Sequence, residues 1–402
     1  MNKRRSVKIF TANGKWFSSV CCFSSLPSLK QITPSSNNSY GIKMNKYSFH
    51  FIAVIILLLL AAGCSKNDSP VTPSSGDEGN NSTWTVLGNM GVNNSVTTIC
   101  TDGSGNVYAA GQFTNSSGRH FVLKWDGTTW TNIGLNANNT IRRLCSDQNG
   151  RLYAIGDFTD ANNNYYVARW DGSNWTNIYN TIRPYAGNFP FTTLYVDNGG
   201  TMFASNGSLD ENDKFYVEMY NGNALVQLGS INANWGIFAL TSDINGNLFA
   251  SGSFTDQYYY YVAQWNGSGW NNIGLNVDSE IDGLCSNGQG HIFAKGGFTN
   301  SSGKFYVAEW DGHSWTDIGL NANDYIVTIC FDQENNLYAA GRFTDGSDYT
   351  EGLRYVAKWN GSNWTNLGGL YGFNGILCTG NNGKVYAAGF NSDSGIFVAV
   401  HN

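Results

Sequence analysis

The chain has 402 residues, 14% of them aromatic and 13% charged, with 48 glycines and a formal net charge of −6. Residues 1–64 contain eight Lys and Arg and no acid, so the remainder carries 15 basic and 29 acidic side chains, net −14. That balance excludes nucleic acid and anionic lipid surfaces as charge-driven partners and leaves a cationic ligand or a neutral glycan.

In chain order, the first expected element is an address. Lys46 precedes an uncharged apolar run, Phe51 to Ala62, long enough for the core of a signal peptide and too short to span a bilayer as a helix. A signal sequence belongs at an N-terminus, so Met44 is the expected start and residues 1–43 a mis-assigned upstream start. The run ends Leu60-Ala61-Ala62-Gly63-Cys64, which resembles a bacterial lipobox. The resemblance implies a signal peptide over 44–63, cleavage before Cys64 and lipid on that residue. Ser65-Lys66-Asn67-Asp68 resembles the short tags that send Bacteroidetes-type lipoproteins to the outer face of the outer membrane. Residues up to 83 are Ser, Asn, Pro, Gly and acids, the composition of a flexible tether.

From Trp84 onward one motif is written seven times. Its second strand begins at Tyr108, Tyr153, Phe203, Phe249, Phe293, Tyr338 and Tyr386, a period of 44 to 50 residues, within the range of propeller blades and solenoid coils. Strands a and b are joined by a turn such as Asp102-Gly103-Ser104-Gly105-Asn106. Asp opens it in five copies, and three residues later comes Gly, or Asn335 in one copy, the residues that tolerate positive φ. Strands c and d are joined by Asp-Gly or Asn-Gly between Trp pairs such as Trp170 and Trp175, replaced once by Tyr220 and Leu225. Trp84 to Gly88 reads as a strand d with nothing before it, and Phe397 to Asn402 as a strand c with nothing after it. Pairing these ends closes a ring without a long free edge. The expected fold is an all-β, seven-bladed propeller over 84–402, with four antiparallel strands per blade.

Gly105 to Phe113, Val167 to Trp175 and Val356 to Gly368 carry a repeat of the form G-N-x-Y-A-A-G-x-F-T followed by V-A-x-W-D-G-x-x-W-x-x-L-G. It resembles the kelch and galactose-oxidase-like propeller superfamily, although it lacks the paired glycines that end kelch's second strand in most copies. The resemblance implies fold, not activity, because propellers host binding and catalysis alike.

Cys100, Cys145, Cys285, Cys330 and Cys378 share one strand-a position. Equivalent positions in neighbouring blades lie roughly 10 Å apart, beyond disulfide reach, so free thiols packed between blades are expected. Each Asp turn supplies one carboxylate, where calcium wants several oxygens; no cofactor is expected, with calcium a minor alternative. His120, His291, His313 and His401 belong to different registers, and no nucleophile arrangement is visible.

The a–b and c–d turns hold constant spacing, so length varies in the b–c and d–a connections, which emerge on one face. Recognition is expected there. The largest insertions are Thr181 to Pro190 and Asp345 to Arg354. Aromatic residues crowd these loops: Tyr185, Phe189, Trp235, Tyr258, Tyr259, Tyr260, Tyr325, Tyr349, Tyr371 and Phe373, some of which must face the core. The candidate ligand-binding residues are Tyr185, Phe189, Trp235, Tyr258, Tyr259, Tyr349, Arg354 and Tyr371. The favoured function is a lipid-anchored, monomeric surface module for a glycan or an envelope protein. A polysaccharide hydrolase or lyase with its site in the central mouth is the alternative, and a purely structural role the third. Convergent acids with a His at the mouth would favour an enzyme, and an aromatic platform would favour binding.

Overall fold

The computed structural model describes residues 84–402, except 148, 182–190, 198, 207–208, 345–352, 392–394 and 402, together with two strands nearer the N-terminus. The chain divides into residues 1–72 and 73–402. In the first unit Val7–Phe10 pairs antiparallel with Trp16–Ser19. The second is the propeller. The address segment, including Cys64, lies outside the described residues.

Seven four-stranded antiparallel sheets follow one another along the chain. Strand a runs Val96–Thr101, Ile141–Ser146, Phe191–Val196, Ile237–Ser242, Ile281–Ser286, Ile326–Phe331 and Phe373–Thr379 in blades 1 to 7. Successive a strands lie against one another, and that of blade 7 lies against that of blade 1, so strand a is innermost and the ring is closed. The termini complete blade 7 as expected: Trp84, Thr85 and Val86 pair with His401, Val400 and Ala399, and the Leu87 N–H reaches the Val398 carbonyl at 2.8 Å. Hydroxyls add links around the axis, as where Thr101 Oγ1 donates to the Thr379 carbonyl of blade 7 at 2.7 Å.

Each core cluster lies between two neighbouring blades. Small residues of strand b alternate with large ones, so a sheet can bury both faces: Val107–Gly111 and its counterparts in blades 2, 4, 5 and 6 are buried at every position. Phe113, Phe158, Phe254 and Phe298, which follow strand b, are fully enclosed, each worth roughly 2–3 kcal/mol of transfer free energy. At the outer edge the paired Trp rings stand 5.4–5.6 Å apart in blades 1, 2, 4, 5 and 6. The strand-d indole N–H then donates to a carbonyl of the preceding blade at 2.5–3.1 Å, as Trp175 does to Ile133 and Trp315 to Ile273. Blade 3 has Leu225 at this position, and the Trp84 indole nitrogen is buried without a partner, so two seams lack this link.

The a–b turns are self-contained. Asp102 Oδ1 accepts the N–H groups of Ser104 and Asn106 at 2.9 and 3.0 Å, while Oδ2 accepts the Tyr108 hydroxyl at 2.8 Å. Asp332 repeats the pattern with Glu334, Asn336 and Tyr338. Gly105 and Asn335 have φ of 82° and 62°, the left-handed geometry their residue types imply. The five strand-a cysteines are free; Cys100 is buried, and the other four are half-buried beside the channel.

Candidate functional site

The b–c and d–a connections are more regular than their varied lengths imply. In four blades an Asn before strand a clips a Thr after strand b, exactly twenty-one residues on in every case. Asn93, Asn138, Asn234 and Asn323 each accept the Thr N–H at 2.9 Å and donate to its hydroxyl at 2.9–3.2 Å. This clip leaves a trace in the sequence, an Asn and a Thr twenty-one residues apart. It holds the loops of this face onto the inner strands.

Strand a carries a bulge after its first residue in all seven blades, where its register against strand b shifts; one residue is left out of the ladder in six blades and two, Asn374 and Gly375, in blade 7. A bulge leaves one residue unpaired and re-aims its side chain. The bulged residues are Thr97, Arg142, Thr192, Phe238, Asp282, Val327 and Asn374, a ring at the mouth of the axial channel on the b–c/d–a face. Two reach round to the next blade: Thr97 Oγ1 donates to the Ile141 carbonyl at 2.7 Å, and Asn374 Nδ2 to the Val96 carbonyl at 3.0 Å. The bulge also explains the glycine ending strand b, since a Cβ on Gly111 would strike the Ser95 carbonyl and one on Gly296 the Glu280 carbonyl.

Charge is unevenly placed on this ring. Arg142 Nε lies 2.6 Å from Asp157 Oδ1. Lys295 stands in strand b where the other blades have Ala110, Ile155, Ser205, Ser251, Ala340 and Ala388. It is 6% exposed, and its Nζ lies 2.8 Å from Asp282 Oδ1. That contact is close enough for an ion pair but off hydrogen-bond geometry, for Oδ1 has no hydrogen-bond partner. Arg143 is exposed although it sits mid-strand on an innermost strand. Its pKa is held below the usual value by desolvation, with Asp282, three blades on, acting in the opposite sense. An accessible yet desolvated guanidinium is one that opens onto an enclosed channel. Tyr325 completes the mouth beside blade 5: burial raises its pKa first, followed by the charges of Asp282, Glu280 and Asp324. Its ring packs on Phe305 with centroids 4.6 Å apart.

Of the sequence-derived candidates, Trp235, Tyr258 and Tyr259 are exposed, at 61%, 76% and 49%. All three belong to blade 4, where the Asn234–Thr255 clip ties their two loops together. Arg354 is half-buried in the c strand of blade 6, opposite Leu370. Tyr371 ends strand d of that blade. Tyr185, Phe189 and Tyr349 lie outside the described residues. Tyr260 is half-buried and Phe373 buried, so these two rings cover blade ends. Phe390, 58% exposed on the long b–c hairpin of blade 7, was missed because that hairpin reads in sequence as a continuation of strand b.

Among the described residues, clefts open between blades at two places. One of about 300 Å³ is lined by Asp243, Gln264, His291 and Trp310 on the face of the constant turns, where His291 Nδ1 lies 2.6 Å from Glu309 Oε1. The other, about 370 Å³, lies on the b–c/d–a side between blades 5 and 6 and is lined by Lys304, Asn321, Phe343 and Trp364. Among the described residues no three His, Cys, Asp or Glu side chains gather in metal-binding geometry.

The sequence matches no protein-family model and no curated protein. Solved structures share the fold. The WD40 propeller domain of Doa1 is 11% identical with a TM-score of 0.54, covering 79% of this chain and 96% of that one. YCF48, solved bound to a D1 peptide, is 12% identical with a TM-score of 0.53, covering 83% and 99%. A catalytically inactive virginiamycin B lyase from Staphylococcus aureus, solved with quinupristin, is 10% identical with a TM-score of 0.52, covering 79% and 98%. One is a lyase and another holds a peptide, so at these identities the likeness establishes a β-propeller and leaves activity to the site.

Proposed function

We propose that this protein is a binding module that presents the b–c/d–a face of its propeller to a glycan, held at the outer membrane by lipid on Cys64. The observation that carries the reading is the distribution of aromatic surface. Among the described residues the exposed aromatic side chains are Trp235, Tyr258, Tyr259, Tyr325 and Phe390, and all five lie on that one face. Rigid rings with few torsions lose little entropy on contact and stack on sugar faces. The Asn–Thr clips and the closed ring supply the rigidity. Two of the acids beside the axis are matched by cations, Asp157 by Arg142 and Asp282 by Lys295. That pairing favours binding over a hydrolase. The G-x-F-T and W-D-G repeats support a kelch-like assignment of the blades.

The test is calorimetry of the purified protein against neutral oligosaccharides, with Trp235→Ala and Tyr258→Ala as variants. Loss of a true anchor weakens binding by about 1–4 kcal/mol with little change in melting. Variants that bind like the parent would remove the aromatic face from consideration. Cys64→Ala tests the anchor separately: the altered protein is expected to leave the membrane fraction or remain unprocessed.

A further inference from the structure

We infer that the axial channel holds a site for the carboxylate of a terminal acidic sugar, bound between Lys295 and Arg143. The inference rests on the glycan reading above and names the chemistry that would enter the mouth.

The site is built into strands, where the other blades are uniform. Lys295 extends from strand b across strand a of its own blade, and its stem passes directly over Gly283. A Cβ at Gly283 would collide with Lys295 Cε and press on Cγ and Cδ. The other blades place Thr98, Arg143, Thr193, Ala239, Thr328 and Ile376 at this register. Two departures in one blade thus combine to carry a lysine side chain that is more than nine-tenths buried toward the axis. An ammonium has three donors, and among the described residues its one ion-pair partner is Asp282, 2.8 Å away on one side. Arg143 sits at the same register in blade 2, and its guanidinium makes no hydrogen bond among the described residues. The inner layer therefore holds two cations, Lys295 paired on one side by Asp282 and Arg143 without a hydrogen bond among the described residues. Partly desolvated charges of one sign attract a counter-charge strongly, because water screens them poorly.

The rim selects which anion fits. Glu280 and Asp324 flank Tyr325 at the mouth, so a polyanion meets like charge before it reaches the cations. A single carboxylate at the end of a neutral chain avoids that repulsion. The hydroxyls of its sugar can donate to Asp282 and Glu280, while Phe238 and Tyr325 offer ring faces. The carboxylate enters deepest and the rest of the chain runs out over the aromatic face.

The probes are a glucuronic acid–terminated disaccharide, its methyl ester and polygalacturonate, titrated calorimetrically into the full chain. The acid is expected to bind at least tenfold more tightly than the ester, and polygalacturonate more weakly than the acid. Lys295→Met and Arg143→Gln should each abolish the preference for the acid, bringing its affinity down to that of the ester. Lys295→Met/Asp282→Asn removes the pair together, so it should fold even where the single change does not, and should also show no preference. Equal binding of acid and ester by the parent, or an intact preference in Lys295→Met, overturns the carboxylate site while the glycan reading stands. If neither sugar binds, but an acetylated dipeptide acid binds more tightly than its amide in a Lys295-dependent way, the ligand is a peptide and the acidic-sugar proposal and the glycan reading both fail.

Discussion

Glu218 makes the propeller's stability depend on pH, and its removal should abolish that dependence. It stands in strand c of blade 3 at the ladder position that the other blades fill with Leu123, Ala168, Ala263, Ala308, Ala357 and Ala399. It is 6% exposed. Burial raises its pKa to about 7, against the opposing effect of a hydrogen bond with Tyr179 from blade 2. In the unfolded chain the group titrates near 4.5. Between those values the folded protein keeps a proton that the unfolded chain has released. The Glu218 contribution to stability is therefore largest below 4.5, falls as pH rises through the window, and is flat above about 7. A shift of this size corresponds to roughly 3 kcal/mol at 1.36 kcal/mol per pKa unit. For a propeller of this length that is a melting shift of about 4–5 °C at the usual unfolding entropy per residue. Scanning calorimetry of the parent and Glu218→Gln at pH 5 and pH 8 reads it directly. The parent should lose most of that increment, about three-quarters of it, between the two pH values relative to the variant, and the variant should be the more stable at pH 8. Equal pH dependence in the two proteins would refute the assignment.

Further outcomes follow from the seams and turns. Trp315→Phe removes the indole donor to the Ile273 carbonyl at 3.1 Å and should cost about 1 kcal/mol, whereas Trp84→Phe, which removes a buried nitrogen with no partner, should be neutral or stabilising; denaturant midpoints compare the two. Deleting residues 84–86 uncovers the 399–401 edge and should produce aggregation on size-exclusion chromatography, so a monomer with unchanged melting would contradict closure. Asp102→Ala strips a buried turn of the acceptor for two N–H groups and the Tyr108 hydroxyl. It should destabilise by about 2–4 kcal/mol without changing sugar affinity in calorimetry, because the turn lies on the face opposite the mouth.

The fold was legible because each of its determinants is local and repeated. A positive-φ residue three places after an Asp, a Trp pair across a two-residue turn and a unit of about 45 residues need no knowledge of distant contacts. Closure was equally legible, because the orphan strand at Trp84 and the orphan strand ending at His401 complement each other. The strand-a bulge was not legible. Its sequence trace is the glycine after strand b, which reads as turn chemistry until Gly111 is seen against the Ser95 carbonyl. Loop aromatics were only partly separable: Tyr258 and Phe373 both flank strands, yet one is 76% exposed and the other 2%. Periodicity assigns a residue to a strand or a loop, but which side of a closing ring it meets depends on the neighbouring blade.

The axial cations show where function is best sought in a chain built from copies. Loop length drew attention to two insertions, but length alone carries no chemistry. A change at a strand position that the fold holds nearly constant must be accommodated sterically and electrostatically, and it leaves a second mark where that is done. Lys295 in place of Ala, Ser or Ile would be expelled from a packed blade unless its stem had room and its charge a partner. Gly283 provides the room and Asp282 the partner, both from the strand paired with it. Arg143 fills the same register in blade 2, accommodated by the open channel rather than by a glycine. Each of these residues is unremarkable alone, a lysine in a strand or a glycine in a glycine-rich chain. Aligned by the ladder rather than by the loops, they are the places where blades 2 and 5 depart from their sisters, and both departures put positive charge toward the same axis in a protein that is otherwise acidic.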